Sequence, residues 1–190
     1  MKTVVIVAKG PSALQASKVI EAGESIAVIN DSGKLIPDMH IDYFFFAHHT
    51  VFENMKHLRG RFNQAISRSL NAHQLGWMPD WIKERHIMLE DLDCDGDLHS
   101  LHHRLLYGGI MAHHTTTLAM HYLCKHGKYD KIKVIGVDGG VAYAESLERT
   151  PSLPADLDLF MQIAKRVAEI CHNVYGTKFE WYQYEGGHTG

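Results

Sequence analysis

The sequence predicts an α/β protein: a three-layer α/β/α sandwich around a mostly parallel sheet. Three observations predict it. Short apolar runs recur along the chain at Val4–Ala8, Ser25–Asn30, Ile41–Ala47 and Ile132–Val137. They are β-branched or aromatic and lack polar alternation, as strands covered on both faces do. Each run ends in a polar or Gly-rich turn, and segments of helical composition lie between them. Strands that alternate with helices across short turns build parallel sheets.

The elements follow in order. Val4–Ala8 is the first strand, and it breaks into Gly10, Pro11 and Ser12. Gly10 permits a tight turn, and Ser12 is a good N-cap for a helix over Ala13–Ala22 that ends at Gly23. Such a turn reads either as an ordinary βα connection or as an anion site, where free N–H groups and the helix dipole favour a phosphate. Ser25–Asn30 is the second strand, followed by Asp31, Ser32 and Gly33. Ile41–Ala47 is the third, ending at His48, His49 and Thr50. Phe52–Leu58 reads as a short helix packed on the surface.

The middle is less regular. Phe62–Ser69 and Arg85–Leu89 read as strands, and Glu90–Asp97 is strongly acidic. That stretch resembles part of a calcium loop but lacks the bidentate Glu at the twelfth position. A solvated loop is the simpler reading; a divalent-ion role or a lid over the site is the alternative. Gly108 and Gly109 precede His113, His114 and the threonines Thr115, Thr116 and Thr117. Thr115 or Thr116 is placed to N-cap a helix over Leu118–His126, closed by Gly127. Ile132–Val137 ends at Asp138, Gly139 and Gly140. Ala155–Tyr175 is an amphipathic helix with Leu159, Ile163, Val167 and Ile170 on one face. Gly176 ends it. Lys178–Tyr184 is the last strand, with Phe179, Trp181 and Gln183 alternating against Glu180 and Tyr182. The whole reads as one Rossmann-like domain with a Gly-rich tail from Glu185 to Gly190.

Composition narrows the function classes. The 190 residues carry 45% hydrophobic and 22% charged side chains, ordinary values for one globular domain. A net charge of −3 gives no reason to expect a nucleic-acid binder, which shows a basic excess. The first apolar run is too short for a signal peptide or a membrane span. Cys94, Cys124 and Cys171 are odd in number and widely spaced, which suits reduced thiols in the cytoplasm. The 15 histidines show neither HExxH nor paired Cys-x2-Cys spacing, so nothing indicates a structural metal site. Those in a site would titrate near neutral pH. Tyr43–Phe46 reads as core. Trp77 and Met78 read either as core or as a surface of a homo-oligomer.

Three segments resemble the sialyltransferase-like superfamily. It includes bacterial sialyltransferases, flagellin-linked Maf proteins and archaeal 6-hydroxymethylpterin diphosphokinases. VVIVAKGPSA resembles the family's first strand and G-x-GPSL turn, with Ala8 and Lys9 in place of the usual Gly and Asn or small residue. Ile29, Asn30 and Asp31 are similar to the family's polar position after strand two. Gly108–Gly140 resembles its GGSV, T-A-L and I-G-x-D segment. Together they span about half the chain, judged by element order.

The resemblance implies a nucleotide or nucleotide-sugar site at the carboxyl end of the sheet, with an acceptor the sequence does not name. Gly10, Pro11 and Ser12 would approach the phosphates, and Asn30 with Asp31 the ribose or base. Thr115, Thr116 and Thr117 would offer a helix start to the same ligand. Asp138 would bond a sugar hydroxyl or hold Mg²⁺; its plainer role is to cap the turn at Gly139 and Gly140. The family's sialyltransferases carry a catalytic His after the strand that ends in Asp, but Val141–Leu159 contains none. His48, His49, His113 and His114 are the substitutes near the crevice. Glu145 and Arg149 lie in the same loop as Asp138 and read as acceptor or phosphate contacts, or as surface. The implied activity is glycosyl transfer from a nucleotide-linked donor. The alternatives are an ATP- and Mg²⁺-dependent diphosphokinase, for which Asp93, Asp95, Asp97 and Asp138 supply hard oxygens, and a nucleotide-binding module without catalysis.

Overall fold

The computed structural model describes residues 1–46, 52–68, 72–89, 115–139, 144, 147 and 157–183. Their centre is a seven-stranded sheet: β1 (Thr3–Val7), β2 (Ser25–Ile29), β3 (Ile41–Phe46), β4 (Phe62–Arg68), β5 (His86–Leu89), β6 (Lys131–Ile135) and β7 (Lys178–Tyr182). The order is β5-β4-β3-β2-β1-β6-β7, and every pairing is parallel. The expected mostly parallel, Rossmann-like sheet is therefore parallel throughout the described residues.

Among the described residues five α-helices accompany it: α1 (Ala16–Val19), α2 (Ala72–Gly76), α3 (Asp80–Lys83), α4 (Thr115–Lys125) and α5 (Leu157–Tyr175). Short 3-10 segments occupy Pro11–Gln15, Asn30–Leu35 and Glu53–Leu58. The sheet separates two cores. On one face Val4, Ile6, Ala27, Ile29, Phe45 and Val134 pack under α4 and α5. On the other, Val5, Val7, Val28, Phe44 and Phe46 pack under the 3-10 segments, α1 and α3. Both faces are covered, which is why these strands carry few polar residues. Phe44, Phe45 and Phe46 are all fully buried, each contributing roughly 1.5–3 kcal/mol by leaving water.

Several local expectations are corrected. The predicted helix over Ala13–Ala22 is a 3-10 turn followed by the single turn α1. Gly10, not Ser12, stands at the N-cap position. Gly23 sits at φ +86° in the turn before β2, not at a helix end. The Phe52–Leu58 segment is core, not surface packing: Phe52, Met55 and Leu58 are buried. Thr115 already lies inside α4, so neither Thr115 nor Thr116 is its N-cap. At the other end of α4, Lys128 rather than Gly127 takes the left-handed conformation. Gly127 is needed for space, since a Cβ there would stand 2.6 Å from the Tyr129 ring. Strand β7 stops at Tyr182, and Gln183 is exposed. Gly176, at φ +74°, does close α5. Phe44–Phe46 and Met78 are core, whereas Trp77 is 62% exposed. No helix among the described residues is long and apolar enough to cross a membrane.

Candidate functional site

Chain order fixes where a ligand crevice can open. From β1 the chain winds outward through β2, β3, β4 and β5, then returns to pair β6 with β1. Connections leaving in opposite directions from two neighbouring strands leave a gap beyond their carboxyl ends, and open α/β sheets bind ligands there. The reversal lies between β1 and β6. Val7 pairs with both Val28 and Ile135, so β1, β2 and β6 end at nearly the same level. Lys9–Ser12, Asn30–Asp31 and Gly136–Asp138 thus share one edge.

The loops after β1 and β6 are tightly joined. The N–H of Ala8 donates to Ile135 O at 2.8 Å, and that of Gly10 to Gly136 O at 2.7 Å. Gly136 has φ +85°, and a Cβ there would meet the Ala8 carbonyl carbon at 2.7 Å. A Cβ on Gly10 would stand 2.4 Å from Asp138 Oδ2. Both glycines are required by close backbone approach.

Ser12 looks inward. It is 1% exposed. Its Oγ accepts from Gly136 N–H at 2.8 Å and donates to Tyr182 O at 3.1 Å. Its own N–H donates to Asp138 Oδ2 at 2.8 Å. The N–H of Ala13 donates to Gly10 O at 3.0 Å, and Pro11 has none. Every N–H of the Gly10–Ser12 turn is therefore engaged. The negative group that the turn holds is the Asp138 carboxylate. Gly139 lies against α5, where a Cβ would collide with Asp158 Oδ1; Gly140, the other residue of the turn Asp138 is expected to cap, lies outside the described residues.

At the end of β2, Asn30 takes the left-handed φ of +53°, which Asn tolerates better than most residues. This starts the 3-10 segment that Ser32 fastens: Ser32 Oγ accepts from Ile29 N–H at 3.0 Å and donates to Val7 O at 2.6 Å. The segment turns Asp31 into the protein. Asp31 is 2% exposed, and its Oδ1 stands 2.7 Å from Lys9 Nζ, itself 7% exposed. Lys34 Nζ lies 3.8 Å from Asp31 Oδ2. Next to this pair a Cβ on Gly33 would come 3.5 Å from His57 Nε2. His57 Nδ1 is 2.9 Å from Asn54 O; a carbonyl only accepts, so Nδ1 carries the proton. Burial holds the His57 pKa below its ordinary value.

Thr115, Thr116 and Thr117 form the first described turn of α4 and are buried. A crossover helix runs against its strands, so this turn lies toward the carboxyl edge. His48, His49, His113, His114, Glu145, Arg149, Asp93, Asp95 and Asp97 lie outside the described residues. Sequence reasoning missed Lys9 as a site residue. Its signal was a charged side chain closing a fully buried strand just before the Gly turn. It also missed Gly136, legible in the G-V-D-G-G run.

Among the described residues two carboxylates reach this edge, and each has a partner there, Asp31 in Lys9 and Asp138 in Ser12. Among the described residues no three His, Cys, Asp or Glu side chains gather where an ion could be held. Cys124 and Cys171 are buried and in no disulfide, apart from the edge. Comparison of the chain with protein-family models, with curated proteins and with solved structures finds no match.

Proposed function

We propose that this protein binds a nucleotide at the carboxyl edge of its sheet and transfers a group from a nucleotide-linked donor, as a small glycosyltransferase of the sialyltransferase-like type. One observation carries the reading. The strand order reverses between β1 and β6, and three adjacent strands end there together in Lys9–Ser12, Asn30–Asp31 and Gly136–Asp138. In an open parallel sheet this is where nucleotides sit. The sequence resemblance supplies the reaction class. A general base for the acceptor hydroxyl would come from His48, His49, His113 or His114, which follow β3 and precede α4 in the chain. The start of α4 and cationic groups at the edge would stabilise charge on the departing nucleotide phosphate.

The test is release of free nucleotide from CMP-, UDP- and GDP-linked sugars, followed by chromatography. Release from one donor class, abolished in a variant with all four histidines changed to Gln, supports the transferase. Binding with no release supports the non-catalytic module. The diphosphokinase alternative requires Mg²⁺; of the carboxylates named for it, Asp93, Asp95 and Asp97 lie outside the described residues and Asp138 accepts a hydrogen bond from Ser12 N–H. Formation of AMP from ATP and a hydroxymethylpterin would restore that alternative and overturn glycosyl transfer.

A further inference from the structure

We infer that Cys124 and Cys171 form a peroxide-sensitive dithiol, which closes under oxidation into a disulfide bridging α4 and α5. The inference is independent of the nucleotide reading and concerns a different part of the molecule.

The two thiols come together from separate helices. Cys124 lies in the last turn of α4, and Cys171 in the second half of α5. These helices pack against each other over one face of the sheet. Cys124 is 3% exposed and Cys171 is fully buried, both in the same core cluster. Neither is in a disulfide. The Cys171 side chain hydrogen-bonds that of Cys124. The two sulfurs thus face each other with no side chain between them, the starting arrangement for an S–S bond.

The surroundings favour reaction at Cys124. Thr177, 2% exposed, also stands beside it. Thr177 donates its one O–H to Tyr129 O at 2.9 Å, so of these two neighbours Cys171 is the one that donates to Cys124. That hydrogen bond holds the Cys124 thiol below its ordinary pKa, against the opposing effect of burial. The thiolate is the form of cysteine that is oxidised, and an adjacent second thiol resolves the product. Access comes from the helix end. Cys124 is next to the final residue of α4, and element ends open locally at lower free energy than the whole fold.

The oxidant is a hydroperoxide. The Cys124 thiolate attacks one peroxide oxygen, the O–O bond breaks, and the other oxygen takes a proton and leaves as water. Cys124 is then a sulfenic acid. The Cys171 sulfur attacks the Cys124 sulfur, the S–O bond breaks, and a second water leaves. Two thiols and one peroxide give one disulfide and two waters. The bridge fastens the end of α4 to α5 and restricts the unfolded chain, which raises heat stability.

The experiment treats the folded Cys94→Ala protein with hydrogen peroxide, so that the third cysteine of the chain does not compete. Peptide mapping without reductant and thermal melting follow. Met1, 87% exposed, reports by its own oxidation that peroxide has acted. The expected result is a peptide pair joined through Cys124 and Cys171 in monomeric protein, with a higher Tm. Dithiothreitol should return both thiols and the original Tm. In a further Cys171→Ala change no resolving thiol remains, and dimedone should trap Cys124 as its sulfenic acid. Should that variant not fold, the mapped pair in the parent protein decides alone. Cys124 and Cys171 both unmodified when Met1 is oxidised would overturn the inference. So would a bridge that forms only with loss of the native melting transition.

Discussion

The carboxylate of Asp138 accepts a 2.8 Å hydrogen bond from the backbone N–H of Ser12, 126 residues away in the chain. With the Gly10–Gly136 and Gly136–Ser12 hydrogen bonds, it joins the loops after β1 and β6 across the reversal point of the sheet. It satisfies the N–H that would otherwise face a ligand. Asp138→Ala leaves that donor unpaired, and is expected to lower unfolding stability by about 1–2 kcal/mol in urea denaturation. Asp138→Asn keeps an acceptor oxygen and should cost less. A cost for Asn equal to that for Ala would show that the charge, not the hydrogen bond, matters.

Ser12→Ala is expected to act on stability before it acts on any ligand. Its buried Oγ links Gly136 N–H to Tyr182 O, so removal strands a donor and an acceptor between β1, β6 and β7. The expected loss is about 1–3 kcal/mol. Calorimetric melting checks it. An unchanged Tm would mean that Oγ faces the crevice instead.

Stability should fall in mild acid. Burial lowers the pKa of both His57 and His86 in the folded protein. Lys34 and Arg61 add to the effect at His57, and Asp31 opposes it. The unfolded chain takes up protons near the ordinary value of about 6.5, while the folded chain resists. The stabilisation is therefore whole above about pH 6.5 and is lost as pH falls from there through the folded values. Tm measured from pH 8 to pH 5 should drop below that point. The double change His57→Gln/His86→Gln should flatten the drop. An identical slope in the double variant would assign it to other groups.

Lys133 gives a graded prediction. Burial alone would lower its pKa, but its hydrogen bonds to Glu21 and Glu24 outweigh this and hold it above the ordinary value. Glu24 is nearly buried, with 10% of its side chain exposed, whereas Glu21 is well exposed. Water and salt screen the second contact far more than the first. A double-mutant cycle by denaturation should give a larger coupling for Lys133 with Glu24 than with Glu21. The reverse order would contradict the assignment of Glu24 as the main partner.

Much of the fold was legible because its strands are buried on both faces. Runs such as Val4–Ala8 and Ile132–Val137 announce parallel strands, and the 3.6-residue spacing of Leu159, Ile163, Val167 and Ile170 announces α5. The region after β1 was not legible. Ser12 has the composition of an N-cap, but a contact with β6 and β7 claims its hydroxyl, and the chain forms a 3-10 turn instead. Local preference cannot reveal a partner more than a hundred residues away. The same limit hid the pairing of Lys9 with Asp31 and of Asp138 with Ser12. The positions of Gly10, Asn30 and Asp138 at one edge were readable, since each closes a strand. What they bond to was not.

The central claim is that this edge binds a nucleotide, and a thermal-shift panel tests it most directly. CMP, CDP, UDP, GDP, ADP and ATP would each be added to the wild-type protein with and without Mg²⁺. A ligand that binds the native state raises Tm by mass action, by an amount that grows with its concentration. The account predicts a concentration-dependent rise with one nucleotide class, without need of Mg²⁺, and a smaller rise with the matching nucleoside. No shift with any nucleotide at millimolar concentration would contradict it.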